Sequence, residues 1–148
     1  MKTLILVESV HHGNTRKLVD AIASNYEVDI ADVSERKSID FVGYDLIGFA
    51  SGIAFSKFYS TITAYAEKVP AEKKVFFLYT CGSKAKDYTK DIRQKAEKQG
   101  AISLGTYGCK GLDTYGLFKY IGGISKKHPN QEDIQGAVSF FEKIIEEK

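Results

Sequence analysis

The sequence predicts an α/β fold: a doubly wound sheet of five parallel strands in the order 2-1-3-4-5, with helices on both faces. Short runs of consecutive apolar residues alternate with segments of helical periodicity five times along the 148 residues. Unbroken apolar runs are typical of strands that are buried on both faces, as in parallel sheets. Because crossovers between parallel strands are right-handed, few strand orders remain, and 2-1-3-4-5 fits best.

The first part of the chain is predicted to contain two strands around one helix. Residues 4–7 are branched and apolar, which predicts the first strand. Apolar side chains recur at helical spacing in residues 14–25, which predicts the first helix. Residues 26–33 alternate between apolar and polar, as expected of a strand with one open face or an edge strand. Residues 34–43 are compatible with a short helix.

The middle of the chain continues the alternation. Residues 44–50 read YDLIGFA and predict a third, buried strand. Residues 56–69 show helical spacing, and Pro70 stops the predicted helix. Residues 74–79 read KVFFLY and predict a fourth, buried strand.

The last part of the chain adds two helices and a strand. Residues 86–99 predict a charged helix closed by Gly100, and residues 101–107 predict the fifth strand. Asn130 is placed to cap the last helix. The glycine-dotted, aromatic segment 105–130 is too long for a plain connection, and loops of this length are usually functional or disordered.

Composition indicates a single globular domain over residues 1–148, with 43% hydrophobic and 27% charged residues. A net charge of +2 is too small to indicate binding to nucleic acid or to an anionic membrane. The first apolar run is too short for a signal or membrane-spanning segment, and we expect Cys81 and Cys109 to be reduced thiols. We therefore expect a cytoplasmic protein that does not insert into membranes and is a monomer or a weak homodimer.

Three loops of small and hydroxyl-bearing residues are predicted to meet at one edge of the sheet. In such sheets, ligands bind beyond the carboxyl ends of the strands, where the strand order reverses. That point lies beside the first strand. Its outgoing loop is 8–15, and the neighbouring strands deliver the loops 51–57 and 80–83.

The first of these loops has the chemistry of an anion site. Gly13 permits a positive φ or a close approach of the backbone to a ligand. Asn14 and Thr15 lie where the helix begins, and there unpaired N–H groups and the helix dipole favour an anion. The alternative is that Asn14 or Thr15 only caps the helix.

Other phosphate-binding families of this architecture do not match. The loop is neither a dinucleotide fingerprint nor a Walker loop, because it has one glycine and no Gly-Lys-Ser/Thr sequence. No cysteine follows the first strand, which excludes a cysteine phosphatase. A receiver domain needs an aspartate where this chain has Ala50-Ser51. Flavin mononucleotide (FMN) is the remaining well-known ligand of this architecture.

Gly13-Asn14-Thr15 after the first strand resembles the phosphate loop of the flavodoxins, in which a Ser/Thr-x-Thr-Gly-Asn-Thr pattern wraps the FMN phosphate. The likeness covers essentially the whole chain, at the length of a short-chain flavodoxin. It is strongest to flavodoxin-like proteins with a His-His-Gly-Asn-Thr loop. The resemblance implies a flavodoxin-like fold with FMN as cofactor. The implied cofactor-binding residues are Ser9, Val10, His11, His12, Gly13, Asn14, Thr15, Ser51, Gly52, Ile53, Ala54, Phe55, Thr80, Cys81, Gly82 and Ser83.

The phosphate loop departs from the usual pattern at Val10, His11 and His12, where flavodoxins have hydroxyl residues. Imidazole N–H groups in these positions would make phosphate affinity depend on pH near neutrality. We expect no metal site, because the one other histidine, His128, lies far away in sequence. Cys81 is expected to be a small buried hydrophobe rather than a reactive thiol.

The resemblance also implies a way of working. In flavodoxins, a flexible peptide of the loop after the third strand turns its carbonyl toward flavin N5 as the ring takes one electron and one proton, and Gly52 would make that turn easy. The alternative is that Gly52 only ends a strand. The chain has no tryptophan, so the aromatic ring that covers the flavin must be Phe or Tyr. The candidates are Phe55, Phe58, Tyr59 and Tyr115.

Three functions stay open at this point. The first is an electron carrier that shuttles single electrons between redox partner proteins. The second is an FMN-dependent oxidoreductase acting on a quinone or porphyrinogen, which the long segment 105–130 favours. The third is a scaffold or regulatory domain without flavin, which only the altered phosphate loop supports. If Lys57 and Lys84 lie near the flavin, the lowest reduction potential will be less extreme than in acidic flavodoxins; the alternative is that both are solvated surface residues.

Overall fold

The computed structural model describes residues 1–8, 13–35, 38–82, 87–111 and 128–146. Strands and helices alternate along these residues as the sequence predicts, except that β2, β3 and β4 follow one another with no described helix between them. In chain order they are β1 (Thr3–Glu8), α1 (Asn14–Asn25), β2 (Asp29–Asp32), β3 (Leu46–Ala54), β4 (Lys57–Phe58), α2 (Ser60–Ala66), β5 (Lys74–Cys81), α3 (Lys90–Lys98), β6 (Ile102–Lys110) and α4 (Gln131–Glu146).

The sheet has the predicted topology. Its main path runs β2-β1-β3-β5-β6, and all neighbours on this path are parallel. Counting only these five strands gives the order 2-1-3-4-5, so the predicted fold class is confirmed. The short strand β4 is an addition that the sequence analysis did not predict, and it pairs antiparallel with the end of β3.

Two hydrophobic cores hold the helices against the sheet. On one face, the apolar sides of α1 and α4 pack against the central strands, with Phe76 of β5 lying 5.7 Å from Phe141 of α4 between ring centroids. On the other face, α2 and α3 cover the sheet, and Phe49 and Phe77 stack at 5.9 Å. The central strands thus contribute side chains to both cores, which explains their unbroken apolar sequences.

The turn between β3 and β4 explains why the sequence analysis missed this hairpin. Its two residues, Phe55 and Ser56, have φ values of 53° and 66°. Two-residue hairpin turns with positive φ at both positions strongly favour Asn-Gly or a similar pair, and Phe-Ser does not signal one. The helix predicted over residues 56–69 therefore begins later, at Ser60, and ends at Ala66. The short helix considered for residues 34–43 is not found in the described part of that range.

The predicted cap of the last helix is confirmed. Asn130 Oδ1 accepts a hydrogen bond from Asp133 N at 2.8 Å, and Asp133 Oδ2 accepts one from Asn130 N at 2.9 Å. This reciprocal arrangement satisfies two backbone donors at the start of α4.

Neither cysteine forms a disulfide. Cys81 and Cys109 lie in the hydrophobic clusters on opposite faces of the sheet, so their thiols cannot meet without rearrangement of the backbone. In the part of the chain that the structure describes, no helix combines the length and the apolar character that crossing a membrane requires.

Candidate functional site

The strand ends that carry the three loops singled out in the sequence lie at one edge of the sheet. Glu8 at the end of β1 lies opposite Ser51 of β3, and Gly52 lies opposite Thr80 of β5. The carboxyl ends of β1, β3 and β5 therefore lie side by side, at the point where the strand order reverses. Of the implied cofactor-binding residues, Ser9, Val10, His11, His12 and Ser83 lie outside the described residues, and the others surround this edge.

Gly13 has the conformation that the sequence predicts. Its φ of 65° and ψ of 22° are left-handed, and it is the N-cap residue of α1. Apart from the two chain neighbours of Gly13, no atom of the described residues lies within 4 Å of a Cβ built on it, so the space beside it is open among these residues. Because Asn14 and Thr15 are the first two residues of the helix, neither is the cap that the alternative interpretation required. The first turn of α1 contains no acidic side chain, which keeps its positive dipole end available to an anion.

The side chains of Asn14 and Thr15 point into the protein. Thr15 is 0% exposed, and its Oγ1 lies 2.8 Å from Oγ1 of Thr80, which is 4% exposed. This hydroxyl pair joins the first turn of α1 to the end of β5. Asn14 packs against Gly111, where an added Cβ would lie 2.7 Å from Asn14 Nδ2. No local pattern singles out Gly111, because its role depends on this contact across the fold.

Gly52 is held inside β3 by its neighbours. A Cβ at this position would lie 2.4 Å from Tyr59 Oη, so the glycine leaves room for the tyrosine. Ser51 Oγ donates to Gly52 O at 2.6 Å and accepts from Tyr59 N at 3.0 Å. Packing explains the glycine, and rotation of its peptide toward a flavin stays a prediction.

Among the candidates for covering a flavin, Phe55 stands out. It is 89% exposed at the tip of the β3–β4 hairpin. Phe58, by contrast, is 4% exposed and packs edge to face against Phe77 and Tyr79 in the core. Tyr115 lies outside the described residues. An exposed aromatic ring beside a ligand-binding edge suits stacking on a planar ligand.

The end of β5 is anchored by the thiol and by the backbone carbonyl of its last residue, Cys81. Cys81 Sγ donates to Cys109 O at 3.6 Å, and Gly111 N donates to Cys81 O at 2.9 Å. The thiol is buried, in keeping with the expected packing role. Below it, Tyr79 packs edge to face on Tyr88, and burial raises the pKa of Tyr79 to about 12.

Glu8 is a charged group at this edge that the sequence analysis did not include among the binding residues. Thr61 Oγ1 of α2 donates a hydrogen bond to Glu8 Oε2. Burial, and to a smaller extent the charge of Asp32, raises the pKa of the Glu8 carboxyl above its usual range. The contact with α2 directs this carboxylate to the face of the sheet opposite α1. The sequence signal that could have identified Glu8 is its position directly after the predicted first strand.

Lys57 is one of the two lysines that could raise the lowest reduction potential of the flavin if they lie near it. Its side chain is 61% exposed, and its Nζ lies 3.9 Å from Asp91 Oδ1 of α3. Solvent and this carboxylate both weaken the field of the ammonium group at a distance. Lys84 lies outside the described residues.

A separate groove of about 510 Å³ lies beside the edge strand β2, near the amino end of β1. Its lining includes Lys2 and the two carboxylates of Asp29 and Asp40. Tyr44 Oη donates to Asp29 Oδ2 at 2.6 Å. A lining with two acids and one base disfavours a dianion, so this groove is a poor phosphate site.

Comparison with known proteins gives a consistent result. Residues 4–116 match the family described as a flavodoxin domain. An uncharacterised protein of Methanocaldococcus jannaschii is 39% identical over 148 residues, which cover 98% of this chain and 99% of the relative.

Solved structures show the same fold at low identity. A flavodoxin of Streptococcus pneumoniae superposes with a TM-score of 0.67 at 15% identity, covering 99% of each chain. A flavoprotein of Lactobacillus acidophilus, solved in complex with FMN, superposes with a TM-score of 0.55 at 19% identity over 74% of this chain and 92% of its own.

Proposed function

Because this chain belongs to the flavodoxin family, we propose that it binds FMN at the carboxyl edge of the sheet and passes single electrons between redox partner proteins. The observation that supports this most is the open space beside the left-handed Gly13, at the start of α1 and at the reversal of strand order. A helix start with room beside a glycine is the kind of place where proteins bind phosphate.

The described residues fit the phosphate group of FMN. A phosphate needs N–H donors, space, and distance from carboxylates. The first turn of α1 offers N–H groups and has no acidic side chain, and Gly13 leaves the space. Glu8 and Asp32 both bring carboxylates to this edge. Glu8 is turned to α2 by its hydrogen bond with Thr61, and Asp32 Oδ2 lies 3.8 Å from Nη1 of Arg16, whose charge offsets its own.

The residues of the other two loops would hold the ring. When bound, FMN supplies the one-electron chemistry, and the protein supplies binding and orientation. Ser51, with its two hydrogen bonds, fixes the strand that carries Phe55 toward the edge. Cys81, the buried last residue of β5, and the half-buried Gly82 after it would form the opposite side. We propose that Phe55 covers the ring and keeps water from one of its faces.

The experiment is a titration of the purified protein with FMN, followed by flavin fluorescence, with riboflavin as the comparison. We expect one FMN per chain and weaker binding of riboflavin, because riboflavin lacks the phosphate. A potentiometric titration of the complex should then show two separate one-electron steps. Protein that takes up neither flavin would contradict the proposal and leave the scaffold function.

A second candidate is an FMN-dependent oxidoreductase that acts on a quinone or porphyrinogen, and the exposure of Phe55 favours it. An exposed phenyl ring can stack on an aromatic substrate as well as on a cofactor. Reduced holoprotein mixed with a soluble quinone distinguishes the two functions. An enzyme should saturate with quinone and lose affinity for it in F55A. A carrier should show a rate that rises linearly with quinone concentration.

A further inference from the structure

The hydroxyl pair of Thr15 and Thr80 is the feature that the proposed function does not yet explain. The two residues are 65 positions apart, yet their Oγ1 atoms lie 2.8 Å apart in a buried setting. Thr80 lies opposite Cys109 of β6 in the sheet, and Cys109 belongs to the hydrophobic core on the α1 side of the sheet. A polar contact in such a place has to be fully satisfied to be tolerated.

We propose that Thr80 is a positioning residue for the cofactor phosphate, acting through Thr15. In the FMN complex, Thr80 Oγ1–H donates to Thr15 Oγ1, and Thr15 in turn donates its hydroxyl hydrogen to the phosphate. This inference rests on the proposed binding of FMN. It assigns Thr80, which the family resemblance implies is a cofactor-binding residue, to the phosphate end of the cofactor and not to the ring.

The direction of the hydrogen bond follows from the two environments. A hydroxyl has one hydrogen and two lone pairs, so only one member of the pair can donate to the other. Thr15 is the second residue of α1, one position from the backbone N–H groups that would meet an anion. When an anion is bound, the favourable arrangement is a chain in which one hydroxyl donates to the other and the second hydroxyl donates to the anion, because each hydrogen bond polarises the next. Thr80, which lies at the end of β5 and outside the first turn of α1, is then the first donor.

The experiment measures the dissociation constants for FMN and riboflavin in T80V, T80S and wild-type protein. Valine keeps the shape of threonine and removes the hydroxyl, whereas serine keeps the hydroxyl. We expect T80V to weaken FMN binding about tenfold, the usual scale for a hydrogen bond that supports a charged group. Riboflavin binding should be unchanged, and T80S should bind FMN within about twofold of wild type.

Three further variants separate positioning from structure. Thr3, at the amino end of β1, is also buried, and T3V should leave both affinities unchanged. T15V should lose at least as much FMN affinity as T80V. In the double variant T15V/T80V, the second substitution should add little, because Thr80 acts only through Thr15. If T80V does not fold, T80A gives the same comparison of FMN with riboflavin.

The outcomes are distinct. A T80V protein that loses FMN and riboflavin affinity equally would show a structural role and overturn the inference. Unchanged FMN affinity would overturn it as well. A wild-type protein that binds FMN no better than riboflavin would instead contradict the proposed phosphate site, and with it the inference.

Discussion

Replacing Gly13 with alanine tests the anion site most directly. The left-handed φ of 65° penalises any residue with a Cβ, but the space around Gly13 is open, and the new methyl group would contact none of the described residues beyond its chain neighbours. The expected loss of stability is therefore conformational and not steric. Gly43 offers a matched control, since it has a φ of 88° and the same open space, but lies in the turn before β3 at the other end of the sheet.

The magnitude follows from two opposing effects. A left-handed conformation costs an alanine roughly 1–2 kcal/mol. Alanine also lowers the conformational entropy of the unfolded chain relative to glycine, which raises the free energy of unfolding by about 0.4–1 kcal/mol. Both G13A and G43A should thus lower the free energy of unfolding by about 1 kcal/mol. In G13A alone, the methyl group would also occupy the space assigned to the phosphate, and we expect FMN binding to weaken about tenfold, which corresponds to about 1.4 kcal/mol.

Urea denaturation of the apoproteins and FMN titration of the folded proteins measure the two effects separately. G13N sharpens the test, because asparagine tolerates the left-handed conformation but fills the open space. It should regain most of the stability and still bind FMN poorly. Equal FMN affinities in G13A and G43A would refute the placement of the phosphate beside Gly13. Wild-type stability in both alanine variants would refute the conformational reasoning.

Two other predictions concern the same edge of the sheet. G52A should lower the free energy of unfolding by roughly 1–3 kcal/mol, because the new Cβ would lie 2.4 Å from Tyr59 Oη; a urea midpoint equal to that of wild type would contradict the packing reason for this glycine. The pKa of Glu8 is raised, so the folded state holds the Glu8 proton more tightly than the unfolded state does. Glu8 therefore stabilises the fold at pH values below its unfolded pKa of 4.5. This stabilisation is lost as the pH rises through the pKa of the folded state. E8Q lacks this titration, so its stability relative to wild type should increase between pH 4 and pH 7 in urea denaturation, whereas parallel curves would argue against a perturbed carboxyl.

The parts of the fold that were predictable are those that local pattern determines. Helix α1 has the predicted bounds, Asn14–Asn25, because its apolar spacing and the glycine before it agree. The strand order follows from the alternation of strands and helices together with right-handed crossovers. The hairpin at Phe55 and Ser56 could not be read in this way, since its turn uses residues that do not favour positive φ.

The candidate site was predictable as a meeting of loops but not as a set of contacts. Sequence places Thr15 and Thr80 at the same edge, yet it does not say that their hydroxyls touch, because that depends on the register between β3 and β5 and on the position of α1. The same holds for Gly111 against Asn14. Contacts of this kind join residues far apart in the chain, and a local pattern carries no information about them.

The two loop glycines that resemble those of flavodoxins differ in physical kind. Gly13 is required by its φ and leaves open space, whereas Gly52 lies in a regular strand and is required by the ring of Tyr59. A glycine that leaves space unfilled makes room for something outside the chain; a glycine whose space is filled serves the chain's own packing. For this reason Gly13 is stronger evidence for a bound ligand than Gly52 is. Variants at Gly13 should therefore alter flavin affinity more than stability, and variants at Gly52 the reverse.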